Sequence, residues 1–426
     1  MTSNSRYFPI KTKTACQLKW AWSTVYLTQA MTNSCHRVDP DIFDITTFNF
    51  HNTPEKINQR EIMLNGEWPG DGSFKFGTTT CSSYCGKLES TGKGISDRQF
   101  FSRIPNLSPP ELEVTPFATA VQPTILEVVM DNVCNLGCIY CMPDLSSRLD
   151  TEMKRYGKFE KNGIVLESTF QKRHDFDEIQ KKFWEWMAGN ADKLERFQLL
   201  GGEPFHQKQF ELFFDFFEKN PCPSLEFNIV TNLMISKPRL IFYMQKFKDL
   251  IIRKKIKRLD ITASIDCWGP QQEYVRHGLN LRSWHDNFEF LLSEKWIKLN
   301  INSTISVLTI KTHALLLEKF NQWNKIRKIE HYFGTVFRPT YLAPEILGPD
   351  EFQEDFNKIK ILLENNQKDF RGDLAFQQME GIISVIEDSP INKEEISKLI
   401  TFLNENDRRR NSDWRKLFPW LEKYVV

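Results

Sequence analysis

ILEVVMDNVCNLGCIYC, residues 125–141, runs from an apolar stretch straight into three cysteines. ILEVVM (125–130) reads as a strand, and the loop that follows it carries Cys134, Cys138 and Cys141. Three residues separate the first pair and two the second. Thiols this close are disulfide partners, zinc ligands, iron–sulfur ligands or buried small hydrophobes. Disulfides are rare inside cells, where clustered cysteines more often mean metal or catalysis. A structural zinc site usually has two ligand pairs with a longer spacer between them. Burial of all three fits poorly with a polar Asn-Leu-Gly loop. Three thiolates on a short loop suit three irons of a [4Fe–4S] cluster and leave the fourth iron open to something that reacts.

Outward from this loop, short apolar runs alternate with amphipathic ones. Further strands are expected at RFQLL (196–200), LEFNIVT (225–231), RLDITASI (258–265), LNINSTISV (299–307) and IEHYFGTVFR (329–338). Helices are expected between them, for example at FDEIQKKFWEWMAG (176–189) and QFELFFDFFEK (209–219). Six strand–helix units imply a parallel sheet, open or barrel-like, with chemistry at the C-terminal strand ends. The segment before residue 116 reads as irregular, with turn signals at 67–77 and 90–98 and a proline-rich linker at 104–116. From about 348 the chain reads as helical. The expected division is therefore 1–115, 116–347 and 348–426.

The 426 residues, 40% of them apolar, with 34 Phe and 11 Trp, are enough for two or three domains. A net charge of +1 gives no general field for nucleic acid or an anionic membrane. The basic runs RKKIKR (253–258) and DRRRNSDWRK (407–416) read as solvated helix faces. No signal-peptide core and no 18-residue apolar run are present, so a soluble cytoplasmic protein is expected.

With C-x3-C-x2-C after the first strand, the sequence resembles the radical S-adenosylmethionine (SAM) superfamily, and three downstream motifs agree. LLGGEPF (199–205) resembles the Gly-Gly-Glu segment after the second strand. IVTNLMI (229–235) resembles the Thr-Asn turn after the third. ASIDCWGPQQEYVRHG (263–278) resembles the Ser-x-Asp…Arg segment after the fourth. The resemblance implies an α/β fold with a partial (β/α)6 barrel. It implies that Cys134, Cys138 and Cys141 hold a [4Fe–4S] cluster whose open iron chelates SAM. Gly201, Gly202 and Glu203 would receive the methionine amine, with Asn232 on the next turn. Tyr140 would lie beside the adenine, Ser264 near the ribose or carboxylate, and Arg276, with Asp266, near the carboxylate. The plain alternatives are a core tyrosine, a strand-end turn for Ser264 and Asp266, and a surface ion pair for Arg276. The chemistry implied is reductive cleavage of SAM to a 5′-deoxyadenosyl radical, which takes hydrogen from a substrate.

Cys16, Cys35, Cys81 and Cys85 precede the barrel. A Cys followed by a Trp, a second Cys about twenty residues on, the segment LNGEWPG, the close pair CSSYC (81–85) and a Glu-x-x-Gly…Ser-x-Arg run together resemble the SPASM/twitch auxiliary-cluster region. Four thiolates suit a second [4Fe–4S] cluster and equally a zinc ion. Two departures from the pattern are the C-x3-C pair and the apparent insertion SFKFGTTT (73–80). FRPTYLAPEILGPDEF (337–352) and the stretch 402–421 also resemble twitch-type proteins. Cys222 reads as a structural loop residue. Cys267 reads as a buried small residue or a substrate-contacting thiol. His206 is expected at the start of the second barrel helix, and the eight histidines show no second metal pattern.

The function expected is thus a radical SAM enzyme. Relatives of this type imply a peptide, protein or small-molecule substrate and an oxidation or crosslink as outcome. An external one-electron reductant of flavodoxin or ferredoxin type is implied, with no nucleic acid and no membrane partner. A degenerate iron–sulfur or zinc protein that only recognises a partner is the alternative. A methylthiotransferase-like nucleic-acid modifier is disfavoured by the neutral charge.

Overall fold

A computed structural model describes residues 6–69, 81–104, 106–365 and 370–425; the SFKFGTTT segment lies outside the described residues. The fold is mixed α/β with parallel strand pairing and a helical C-terminal region. Seven strands frame it: β1 Trp22–Tyr26, β2 Ile125–Val129, β3 Arg196–Leu200, β4 Cys222–Thr231, β5 Ile256–Ser264, β6 Lys298–Ile305 and β7 Glu330–Thr335. The last six answer the six expected strands. β1 does not, because it falls in the segment read as irregular. Cys222 opens β4 instead of lying in a loop; Pro223 beside it is tolerated at the start of a strand.

The chain forms two compact units, which interleave the three sequence segments. The first comprises residues 1–131, 171–229 and 241–260, and the second residues 132–170, 230–240 and 261–426. The division falls within β4 and within β5.

In the first unit β1, β2, β3 and β4 pair in parallel. Trp22 to Tyr26 match Ile125 to Val129, and Arg196, Phe197, Gln198 and Leu199 match Glu226, Phe227, Asn228 and Ile229. β2 is buried at every position, as a strand covered on both faces must be. Its one charged residue, Glu127, is carried by a polar row across the sheet. Thr24 Oγ1 and Gln198 Nε2 donate to its carboxylate at 2.8 and 2.5 Å, and Asn228 Nδ2 donates to Gln198 at 2.8 Å. Burial pushes the Glu127 carboxyl up to about 7. The helix Phe176–Asn190 buries Phe176, Ile179, Phe183 and Met187, a single apolar stripe at helical spacing. Phe197 and Phe227 stack with ring centroids 5.3 Å apart and lead an aromatic layer with Phe213 and Phe217. The helix Pro54–Leu64 starts at an N-cap, Thr53, and is fastened by buried Lys56. Lys56 Nζ donates to Ser23 Oγ, Thr32 Oγ1 and the Phe50 carbonyl at 2.7–2.8 Å.

In the second unit β6 and β7 pair in parallel, from Asn300↔Glu330 to Ile305↔Thr335, joined by the helix Ile310–Ile326. The helices Gln353–Glu364, Phe370–Glu387 and Lys393–Arg410 follow. Their apolar sides share one core with Val307, Leu317 and Phe333. Among the described residues no helix is long and apolar enough to cross a membrane.

Candidate active site

The cysteine loop belongs to the second unit and is held from both sides. Gly137–Cys138 forms a short antiparallel ladder with Arg276–His277, and the Ile139 N–H donates to the Val275 carbonyl at 2.9 Å. Ser146 Oγ donates to the Leu136 carbonyl at 2.7 Å, and the Cys134 N–H donates to Ser147 Oγ at 3.0 Å. Asn232 reaches the loop from the Thr-Asn turn. Its Nδ2 donates to Asn135 Oδ1 at 2.9 Å and lies 3.9 Å from Cys134 Sγ. Asn135 in turn donates to the Met234 carbonyl at 2.9 Å. Sequence reasoning missed Asn135; the polar character of the Asn-Leu-Gly loop was the available signal. Burial and the neighbouring sulfurs of Cys138 and Cys134 hold the Cys141 thiol well above its ordinary range.

Tyr140, Asp266 and Arg276 meet in the same unit. Arg276 grips Asp266 with Nε and Nη2, both at 2.8 Å, and Tyr140 Oη donates to Asp266 at 2.7 Å. The Thr304 N–H adds a fourth bond at 2.9 Å. The Arg276–Asp266 ion pair is therefore interior, with Asp266 at 0% exposure, and is not the surface pair that the sequence left open. Burial works against the Arg276 charge, but Asp266 beside it holds the guanidinium well above its usual value. Ser264, at the end of β5, is buried two residues before Asp266. Breaking one side of a buried ion pair leaves the other charge stranded, at about 3–5 kcal/mol. Asp266→Ala should cost that much in a denaturant titration; an unchanged midpoint would show that the lock is energetically idle.

The Gly-Gly-Glu loop belongs to the first unit. Gly201 and Gly202 have φ of +82° and +55°. A Cβ on Gly201 would sit 2.2 Å from Val129 Cγ1, so the chain itself requires glycine there. Left-handed strain and overlap each cost about 1–3 kcal/mol. Gly201→Ala should therefore destabilise by roughly 2–5 kcal/mol, read as a lower denaturation midpoint. Glu203 is buried and caps the short turn Pro204–His206, accepting from the Phe205 N–H at 3.3 Å. Gln207, which the sequence reading passed over, spans the loop by donating to the carbonyls of Asp131 and Gly201. Cys267 is fully buried against Gln272.

Cys16, Cys35, Cys81 and Cys85, also in the first unit, line one small cavity with Lys19, Arg37 and Asp97. Cys81 and Cys85 are joined by a wide π-helical turn, Ser82–Gly86, in which the Gly86 N–H reaches the Cys81 carbonyl at 3.1 Å. This turn is the structural form of the unusual C-x3-C spacing. The Glu-x-x-Gly…Ser-x-Arg run closes on itself: Ser96 Oγ and Arg98 Nε donate to Glu89 at 2.5 and 3.0 Å. Arg98 Nη1 also donates to the Ala15 carbonyl at 3.0 Å, beside Cys16. Burial, followed by neighbouring thiol and carboxylate charge, pushes the Cys16 and Cys35 thiols up to about 12. As thiolates these four need positive charge among them, which fits a metal-centred group. Among the described residues, the one set of three His, Cys, Asp or Glu donors within 4.8 Å of one another is the partly exposed His285, Asp286 and Glu289.

No protein-family model matches the chain. A curated relative, the radical SAM cyclopropyl synthase TigE of Paramaledivibacter caminithermalis, is 26% identical over 135 residues. That match covers 32% of this chain and 27% of TigE, so the chain spans about a quarter of the length of the relative it matches. Over that stretch the chain is similar to a radical SAM enzyme. Two solved structures show weaker likeness to this chain. Native anSMEcpe with bound AdoMet and Kp18Cys peptide has a TM-score of 0.35 and 15% identity, over 58% of this chain and 60% of that one. Streptococcus suis SuiB bound to S-adenosylmethionine has a TM-score of 0.40 and 13% identity, over 81% and 69%. At these scores neither bears on what this chain does.

Proposed function

We propose that this chain is a radical SAM enzyme of SPASM/twitch type that oxidatively modifies or crosslinks a peptide or protein side chain. Cys134, Cys138 and Cys141 would hold the catalytic [4Fe–4S] cluster, and Cys16, Cys35, Cys81 and Cys85 an auxiliary one. In this reading residues 1–115 carry the auxiliary site, 116–347 a partial barrel and 348–426 a helical extension. The observation that carries the proposal is the presence of two cysteine sets of different number: three on a hydrogen-bonded loop and four around one cavity. Together with SAM, the catalytic cluster supplies a 5′-deoxyadenosyl radical able to take a hydrogen atom from an unactivated carbon.

The chain's own residues then have separable tasks. Asn232 and Asn135 fix the conformation of the loop around Cys134. The Tyr140–Asp266–Arg276 lock holds the aromatic side chain assigned to the adenine. Gly202, with no Cβ, leaves its backbone open to the methionine end of SAM, beside Glu203. The peptide or protein substrate is what the SPASM/twitch resemblance of the cysteine region implies, and the reductant would be of flavodoxin or ferredoxin type. The test is anaerobic reconstitution followed by reduction in the presence of SAM. Release of 5′-deoxyadenosine is expected. A reconstituted, iron-loaded chain that leaves SAM intact would instead be the recognition protein of the alternative reading.

A further inference from the structure

DRRRNSDWRK (407–416), expected on a solvated face, begins in the last turn of the helix Lys393–Arg410, and two of its arginines are buried. Arg409 and Arg410 have side chains 2% and 4% exposed. Arg409 is accounted for by Glu405 at 2.6 Å and the Gly157 carbonyl at 3.4 Å. Arg410 is accounted for only in part. Its Nε and Nη2 donate to Glu152 at 3.0 and 3.3 Å, while Nη1 is buried with no partner. The same guanidinium lies against the cysteine loop: a Cβ on Gly137 would come within 3.3 Å of Nη2. Gly137 does not have a positive φ; a Cβ there would press on Arg410 Nη2 at 3.3 Å and on Leu149 Cδ2 at 3.5 Å. Cys138 follows Gly137 directly in the chain, so the guanidinium lies on the cysteine loop next to that position. Arginine is favoured at a helix C-terminus by the negative end of the helix dipole, an effect a solvated side chain already collects. That does not explain one buried with an N–H to spare.

We propose that Arg410 is a positioning residue for the catalytic cluster: Glu152 locks its guanidinium against Gly137, and its charge and spare Nη1–H serve the group bound at Cys138. The proposal rests on Cys134, Cys138 and Cys141 being cluster ligands. Thiolate-bound clusters are anionic, and positive charge and N–H donors near their sulfurs favour the reduced form. A residue from the C-terminal helix would thereby set how readily the cluster takes its electron.

The experiment is a potentiometric titration, followed by electron paramagnetic resonance, of the signal that changes when SAM is added. Wild type, Arg410→Gln and Arg410→Lys are each compared as reconstituted full-length protein. Arg410→Gln should keep its iron and shift the potential to more negative values. Arg410→Lys keeps an ion pair with Glu152 but has no second nitrogen to spare, and should shift it less in the same direction. A folded, iron-loaded Gln variant with the wild-type potential overturns the proposal. If that variant does not fold, a Lys variant with the wild-type potential overturns it. Failure of the underlying reading looks different: the SAM-responsive signal would then persist in protein whose Cys134, Cys138 and Cys141 are all alanine.

Discussion

Protein in which Cys134, Cys138 and Cys141 are all changed to alanine is expected to release no 5′-deoxyadenosine from SAM, whatever the strength of the reductant. The effect is all-or-none because no other cysteine belongs to this loop. The nearest in sequence on either side, Cys85 and Cys222, are buried in the first unit. The substitutions should spare the fold, since the loop is carried by backbone pairing to Arg276 and His277 and by Ser146 and Ser147. Unchanged circular dichroism with lost cleavage is the expected combination. Any 5′-deoxyadenosine above background in the triple variant refutes the ligand assignment.

The second large effect separates the two cysteine sets. Wild-type protein reconstituted without oxygen should hold about eight irons, four per cubane cluster, and the Cys81→Ala/Cys85→Ala variant about four. SAM cleavage should survive in that variant while product formation on the substrate stops, because making the radical and disposing of its electron are different tasks. Iron measured beside SAM turnover decides the matter: an iron count unchanged by the double substitution, or one zinc in place of four irons, removes the auxiliary cluster.

Much of this was readable in the sequence because strands and metal-binding loops carry local signals. ILEVVM, RFQLL and LEFNIVT are continuous or alternating apolar runs, and each appears within a few residues of its expected place. The C-x3-C-x2-C loop announces itself by spacing alone. Partnerships were not readable. Nothing near residue 266 says that its carboxylate will be shared by Tyr140, Arg276 and the Thr304 N–H, since convergence is a property of the folded chain. The basic run at 407–416 looked solvated because charge runs usually are. The burial of Arg409 and Arg410 depends on Glu405 and Glu152, the second of them more than 250 residues away. β1 escaped notice for a related reason: its local antiparallel partner, Met31–Asn33, is only three residues long, and so short a hairpin does not declare a parallel neighbour.

That neighbour lies far along the chain. Thr24 meets Glu127 across 103 residues, and the pairing cannot begin until β2 has left the ribosome. Closing so long a loop is entropically costly and slow compared with forming a hairpin. The four N-terminal cysteines are therefore synthesised well before the strand that organises their segment, and spend that interval as ordinary reactive thiols. Iron delivered early would meet a chain without a site. A fragment ending at residue 115 keeps all four cysteines and the local pairing of β1 with Met31–Asn33 but loses β2, the parallel neighbour of β1, so excising this region should lower its stability, read as a lower denaturation midpoint than that of the intact chain.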